Sequence, residues 1–163
     1  MSTISARQLH IDRIKHMLAS SSTWQDVCVS DDMTGSYEDA STHIYTISAE
    51  PLPEPPFAVI SPGNFSYSNL STHGAFGVNG DVHITFIIPV SDDWTPAEKF
   101  SYFDDIIFRI EQDLIYNAQD GGIIIHSITT SEGPGEYEVE ESRASGWEYT
   151  TYAETITLTV GAG

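Results

Sequence analysis

Basic residues are scarce in this sequence. Its 163 residues include six lysines and arginines against 24 aspartates and glutamates, which gives a formal net charge of −18. So acidic a chain repels the phosphates of nucleic acids and the anionic surfaces of membranes, and we expect it to bind neither. Two explanations of the charge stay open. It serves solubility, for example in a salt-adapted host, or it belongs to a surface that faces DNA without adhering to it.

Cysteine and long apolar segments are also lacking. Cys28 is the one cysteine, which excludes an intrachain disulfide and a cysteine-rich zinc site. Its neighbours Val27 and Val29 predict a small core residue rather than a nucleophile. No stretch approaches the roughly 18 apolar residues of a membrane span, and residues 1–22 lack the apolar run of a signal peptide. We therefore expect a soluble protein made in a cytoplasm.

Sequence motifs of catalysis and metal binding are missing as well. The six histidines form no His-x-His or His-Glu-x-x-His pattern, and the sequence has no Gly-x-Ser-x-Gly and no phosphate-binding loop. The acidic pairs, such as Asp104-Asp105, join adjacent residues, which do not face each other on a helix. A metal ion could then be bound only by residues that converge from distant parts of the chain. We predict no catalytic residue, no metal site and no cofactor.

The strongest positive signal is an amphipathic helix over residues 95–117. Thr95 suits its N-cap, Pro96 suits the first helical position, and Glu98 can close a capping box. Large apolar residues recur at spacings of 3, 4, 3 and 4, which places them on one stripe that needs an apolar cover. These residues are Phe100, Phe103, Ile107, Ile110 and Leu114.

Weaker signals predict the elements before this helix. The spacing of Ile11, Ile14 and Leu18 predicts a helix over about 5–19. Residues 24–29 are interpreted as a short strand or a turn. Residues 31–42 are acidic and rich in turn formers, and 48–56 are rich in proline, so both are predicted to be loops.

Strands are predicted from β-branched and aromatic runs. They cover residues 43–47, 57–60, 65–78, 81–90, 123–128, 137–141 and 147–160. Asn79-Gly80 favours a type I′ turn, so 65–78 and 81–90 are predicted to form a hairpin. In the last strand Tyr152, Ile156, Leu158 and Val160 are predicted to share one face.

This element order predicts a single α+β domain over residues 1–163. We expect a mostly antiparallel sheet, with the long central helix packed on one face, and an N-terminal helix. Three tryptophans, Trp24, Trp94 and Trp147, are candidate interface residues, because aromatic anchors are enriched at protein interfaces. Core packing is the competing interpretation for each of them.

The order of elements resembles that of the tail terminator, or tail completion, proteins of tailed bacteriophages. The features shared are an N-terminal helix, a proline-flanked strand (Pro55 to Ile60), a long β-ribbon, a central amphipathic helix and an aromatic, acidic last strand (Gly146 to Val160). The resemblance covers most of the chain. It implies an α+β fold and a structural, non-enzymatic protein of the virion neck.

The resemblance further implies a homo-hexameric ring. Such a ring caps the tail tube, joins it to the head-tail connector or stopper protein, and lets DNA pass without specific binding. An acidic lumen would suit passing DNA. The candidate lumen face is the alternating run Glu136, Glu138 and Glu140, whose side chains would share one face of a strand. The alternatives are a head-tail stopper, a minor tail protein, or a small metal-dependent hydrolase or nuclease that uses the aspartate pairs.

Overall fold

A computed structural model describes residues 6–29, 34–46, 53–69, 76–119, 122–130, 135–137 and 150–162. Within these ranges the helices are α1 (Ala6–Ala19), α2 (Ser22–Val27), α3 (Tyr37–Thr42) and α4 (Pro96–Asn117). The strands are β1 (Ile44–Tyr45), β2 (Phe57–Asn69), β3 (Phe76–Val90), β4 (Ile123–Thr130), β5 (Gly135–Tyr137) and β6 (Thr150–Ala162). The predicted α+β class is confirmed.

The strands form one sheet in the order β1-β2-β3-β6-β4. β1 runs parallel to β2, and the other pairs are antiparallel, so the sheet is mostly antiparallel as predicted. Residues 79–90 of β3 pair with residues 150–161 of β6. β4 and β5 therefore share the other side of β6, where β4 pairs with residues 156–162 and β5 with 151–153.

The core lies between one face of this sheet and the helices. Alternate residues of β3 and β6 point into it, because successive side chains of a strand point to opposite faces. α1 packs on β2 and β3, and α4 packs on β3. The completely buried residues of the sheet's core face include Ile60, Val82, Ile84, Phe86, Ile156, Leu158 and Val160. On α1 the predicted Ile11, Ile14 and Leu18 are all buried, together with Met17.

α4 begins as predicted. Thr95 is its N-cap, Glu98 closes the capping box, and Pro96 occupies the first turn. Phe103, Ile107, Ile110 and Leu114 are buried, but the expectation that Phe100 joins them is wrong, since Phe100 is 49% exposed. The buried stripe of α4 takes in Ile106 instead, beside residues of α2, and Phe100 lies on the flank of the helix.

Two short helices correct the sequence prediction before β1. Residues 22–27 are helical rather than a strand or turn, since the Ser21 hydroxyl caps the backbone N–H of Trp24 at 3.2 Å. Residues 37–42 lie inside the predicted 31–42 loop, but they form α3, which Ser36 and Asp39 close with a capping box. Residues 31–33 lie outside the described ranges. Residues 53–56, which belong to the second predicted loop, form neither helix nor strand.

The predicted turn at Asn79-Gly80 is wrong. Both residues lie within β3, and the β2–β3 pairing continues past them to Asn69 and Phe76. Gly80 is opposite Phe65, and a Cβ on Gly80 would clash with the ring of Phe65. Gly80 therefore leaves room for an aromatic ring on the neighbouring strand and does not form a turn. Residues 62–64 lie between two of the predicted strands, 57–60 and 65–78. They form an irregularity within the continuous strand β2 rather than an end of it.

The C-terminal strands differ from prediction mainly in their bounds. β4 runs two residues further than predicted, to Thr130, and β5 and β6 begin at Gly135 and Thr150. Residues 138–149 lie outside the described ranges. The predicted alternation of β6 is confirmed for Ile156, Leu158 and Val160, which are completely buried.

Candidate assembly surface along helix α4

Helix α4 carries an unusual share of exposed apolar surface. Five of the eight exposed large hydrophobic side chains of the described residues belong to it. They are Phe100, Tyr102, Phe108, Ile115 and Tyr116. Scattered exposed apolar residues are normal, but their concentration on one helix marks a surface suited to a protein partner.

One flank of α4 combines apolar and acidic side chains. Phe100, Asp104, Phe108, Glu111 and Ile115 follow one another at spacings of 4, 4, 3 and 4, which places them on one stripe of the helix. Phe108 is 56% exposed and Ile115 is 55% exposed. We call this stripe the acidic-apolar flank.

The acidic-apolar flank adjoins strand β4. The Thr130 hydroxyl donates a hydrogen bond of 3.3 Å to Oε1 of Glu111. Among the described strands β4 pairs with β6 alone, so its other side is an open edge of the sheet as far as these strands define it. An open edge offers unpaired N–H and C=O groups to another chain. The flank and this edge together form a candidate assembly surface.

A buried carboxyl group lies beneath the same flank. Glu154 falls in the core row of β6, is opposite Phe86, and is only 5% exposed. Among the described residues its Oε2 atom has no hydrogen-bond partner, which is rare for a buried polar atom. Burial raises the pKa of Glu154 to about 7, and the negative charges of Asp104 and Glu111 add to the rise. A fixed cation beside these groups would lower it again.

Glu111 shares part of this environment. Burial raises the pKa of its carboxyl group, and the charge of Asp104 acts in the same direction. The hydrogen bond from Thr130 opposes the rise. Asp104, Glu111 and Glu154 therefore form a group of mutually repelling carboxylates, which we call the carboxylate cluster.

The opposite flank of α4 borders a shallow groove. Trp94 packs edge-on against Tyr102 with ring centroids 4.7 Å apart. These two side chains line a depression of about 530 Å³ with Glu98, Ser101 and Asp105. Arg109 Nε lies 3.0 Å from Asp105 Oδ2, so this carboxylate is already paired.

The predicted interface tryptophans have different positions. Trp94 lies in the groove and stays a candidate interface residue. Trp24 is completely buried, and its indole N–H donates to the carbonyl oxygen of Ala40 at 3.2 Å, so an interface role for Trp24 is wrong. It fills the core beside Phe86. Trp147 lies outside the described residues.

The predicted lumen face is described only in part. Glu136 belongs to β5, where it is in register with Tyr152 of β6. Glu138 and Glu140 lie outside the described residues. A lumen role for the three glutamates stays a prediction.

The face of the sheet opposite the core carries paired polar side chains. His83 Nδ1 lies 2.8 Å from the Thr157 hydroxyl, and the hydroxyls of Thr85 and Thr155 are also 2.8 Å apart. Such cross-strand pairs stabilise the sheet. The bonded partner of His83 is a hydroxyl rather than a carboxylate, so this pair lacks the acid that orients a catalytic histidine.

The described residues offer little to metal, thiol or membrane chemistry. No group of three or more His, Cys, Asp or Glu side chains among them could hold a metal ion. Burial, and then the charge of Asp39, raises the pKa of the Cys28 thiol to about 12, which disfavours the reactive thiolate. Of the helices in the described ranges, none is long and apolar enough to cross a membrane.

Comparison with known proteins assigns this chain to no family. No protein-family model matches the chain, and no curated protein matches it.

Proposed function

We propose that this protein is a structural virion protein that forms the ring of a phage tail terminator. The observation that carries the proposal is the apolar row Phe100, Phe108 and Ile115 on α4, next to the open edge of β4. An open strand edge and an exposed apolar helix flank are costly on a monomer, and a closed ring can cover both. The α+β fold and the resemblance described above agree with this proposal.

The proposed mechanism is geometric. Copies of the chain assemble edge to flank into a ring of about six subunits, the number that the resemblance implies. The ring caps the tail tube and binds the connector or stopper protein of the neck. The net charge of −18 keeps passing DNA from adhering to the lumen. No catalytic residue, metal or cofactor takes part.

A hydrolase or nuclease that uses the aspartate pairs has less support. Asp104 and Asp105 point to different flanks of α4, because adjacent helical residues diverge. Asp105 pairs with Arg109, whereas Asp104 belongs to the carboxylate cluster. The two carboxylates therefore cannot share a proton or a metal ion.

The test is the mass of the assembly with one apolar side chain changed. We expect rings of the wild-type chain in native mass spectrometry and in negative-stain micrographs. Phe108→Asp should yield folded monomers, since Phe108 is exposed and the new charge would be buried at the contact. Phe108→Leu keeps the apolar character and should keep the ring. A wild-type chain that is monomeric both alone and with its tail tube protein would contradict the proposal.

A further inference from the structure

A second depression continues the groove beside Trp94. It has a volume of about 410 Å³, and Asp26 and its neighbours on α2 line it together with Tyr102, Asp105 and Arg109 of α4. Tyr102 and Asp105 also line the depression of about 530 Å³ at Trp94. The two depressions therefore lie end to end, and we call them together the α2–α4 groove.

The shape of the α2–α4 groove suits an extended peptide. Its residues on α4 run from Glu98 to Arg109, which at a rise of about 1.5 Å per residue is a length of roughly 16 Å. About five residues of an extended chain, at roughly 3.3 Å each, cover that length. Tyr102 and Asp105, which both depressions share, are exposed, so the groove is open and does not enclose a small molecule.

The carboxylates of the groove are held in place by the chain itself. Asp26 Oδ1 accepts the backbone N–H of Gly35 at 3.1 Å, and Glu98 Oε1 accepts the backbone N–H of its own N-cap residue at 3.2 Å. Asp105 Oδ2 pairs with Arg109. Each of these contacts uses one carboxylate oxygen, whereas a carboxylate has about four lone-pair sites. The three groups are therefore oriented in advance and keep acceptor capacity for a partner.

The balance of charge in the groove favours a cationic partner. Three carboxylates, those of Asp26, Glu98 and Asp105, line it with one guanidinium, that of Arg109. These carboxylates are spread along the groove, and the described part of the chain has no group of three or more side chains that could hold a metal ion. The groove thus suits positive charges that are spaced along a chain.

An aromatic pair is a second feature that suits a cation. Trp94 is half-buried, Tyr102 is exposed, and the two rings pack edge-on at one end of the groove. The faces of such rings attract guanidinium and ammonium groups. Glu98 and Asp105 line the same depression. Arginine fits better than lysine here, because its planar guanidinium can stack on a ring while it donates to a carboxylate.

The chain itself is a poor source of such a segment. Its lysines and arginines are six in number, and the two that lie closest in sequence, Arg13 and Lys15, belong to helix α1. Arg13 also donates to the carbonyl oxygen of Gly122. A second copy therefore offers no extended stretch with two basic residues close together, and a different protein must supply it.

We propose that the α2–α4 groove binds a short extended segment of another protein that carries two arginines. One arginine stacks on the pair of Trp94 and Tyr102, within reach of Glu98, and the other meets Asp26 at the far end. The inference goes beyond the proposed ring and does not depend on it, since the groove and the acidic-apolar flank lie on different sides of α4.

A defined peptide tests this inference. The probe is fluorescein-labelled Arg-Gly-Ser-Gly-Arg, whose two arginines lie on one face of an extended chain about 13 Å apart. Its binding, followed by fluorescence anisotropy, should saturate at one peptide per chain and weaken as salt is added. The same peptide with both arginines replaced by citrulline keeps the shape without the charge and should bind at least about tenfold more weakly. Equal binding of the two peptides would overturn the inference.

The adjacent aspartates of α4 provide a matched pair of variants. Asp105→Arg reverses a charge in the groove and should weaken binding at least about tenfold. Asp104→Arg makes the same change in net charge on the other flank and should have little effect. Both positions are exposed, so both variants should fold, which circular dichroism checks. An equal loss in the two variants would mean that the peptide follows the net charge of the chain, and would overturn the groove as its site.

The aromatic contact has a test of its own. Tyr102→Leu keeps an apolar side chain and removes the ring, so the arginine peptide should bind several-fold more weakly while the citrulline peptide is unaffected. Equal losses for the two peptides would overturn the role of the ring in binding a cation.

A second copy of the chain is the competing occupant. If self-association of the wild-type chain without peptide is lost in Asp105→Arg and kept in Asp104→Arg, the groove is a contact between copies and the inference is overturned. Rings that still form in Asp105→Arg, while peptide binding is lost, support it. A wild-type chain that is monomeric and binds the peptide would overturn the ring alone.

Discussion

The substitution Glu154→Gln should stabilise the isolated chain at pH 8. Glu154 is buried, one of its oxygens has no hydrogen-bond partner in the part of the chain that the structure describes, and its pKa is raised from 4.5 to about 7. The charged groups that face it are Asp104 and Glu111 of α4, both acidic, while its cross-strand neighbour is the apolar Phe86. Glutamine keeps the shape of the side chain and removes the charge.

The sign of the pH dependence follows from the raised pKa. Between pH 4.5 and about 7 the folded chain holds a proton on Glu154 that the unfolded chain has lost. The free energy of unfolding therefore falls as the pH rises through this window, and this group adds no further change above it. One pKa unit corresponds to about 1.4 kcal/mol. Allowing for screening by nearby solvent, we expect a loss of about 1 to 2 kcal/mol.

The assay is urea unfolding at pH 5 and pH 8, at concentrations where the chain is monomeric. At pH 8 Glu154→Gln should be about 1 to 2 kcal/mol more stable than wild type, and most of the difference should vanish at pH 5. Glu54→Gln, the same change at an exposed position, is the matched control and should have little effect at either pH. Equal stability of wild type and Glu154→Gln at pH 8, or a difference independent of pH, would refute the reasoning.

Two further sets of variants test the core and the charge. Ile107→Asp puts an unpaired charge beneath α4 at a cost of several kcal/mol, so this variant should be insoluble or unfolded. Phe108→Asp changes the next residue, which is exposed, and should stay folded. Circular dichroism and thermal melting measure the difference, and a soluble Ile107→Asp variant with an unchanged melting temperature would contradict the core assignment. Replacing the three alternating glutamates of the candidate lumen face with lysine should leave the ring intact but make it retain duplex DNA in a salt-dependent way. If the variant ring shows no salt-dependent DNA binding, and particles carrying it eject DNA normally, this strand lies outside the lumen. Those glutamates are Glu136, Glu138 and Glu140.

The sequence predicts the structure well where signals from neighbouring residues decide it. The capping box of Thr95 and Glu98 and the apolar spacing that follows it define α4 almost to the residue, because both depend only on nearby positions. The alternation of β6 was equally readable. Ser21 and Ser36 are also N-cap signals, but the short helices that follow them, α2 and α3, were not predicted because the surrounding residues are rich in turn formers.

The sequence does not predict the structure where contacts between distant residues decide it. Asn79-Gly80 has a strong local preference for a turn, yet the pairing of β2 with β3 extends through it, and Gly80 makes room for Phe65. Trp24 could not be assigned to the core without knowing that Ala40 and Phe86 meet it.

The candidate site was the least predictable part. Phe100 fits the apolar stripe of α4 by spacing, and only the packing of α4 against the rest of the fold shows that it is exposed. Glu154 stands in phase with Ile156 and Leu158, so its place on the core face could have been read from the alternation. That Asp104 and Glu111 lie near it follows from packing, which no local pattern encodes.

The mass of the wild-type assembly in native mass spectrometry tests the central claim most directly. We expect a closed ring of about six chains, alone or on the end of the tail tube, that dissociates when Phe108 is replaced by aspartate. A single 17.9 kDa species under all these conditions would contradict it.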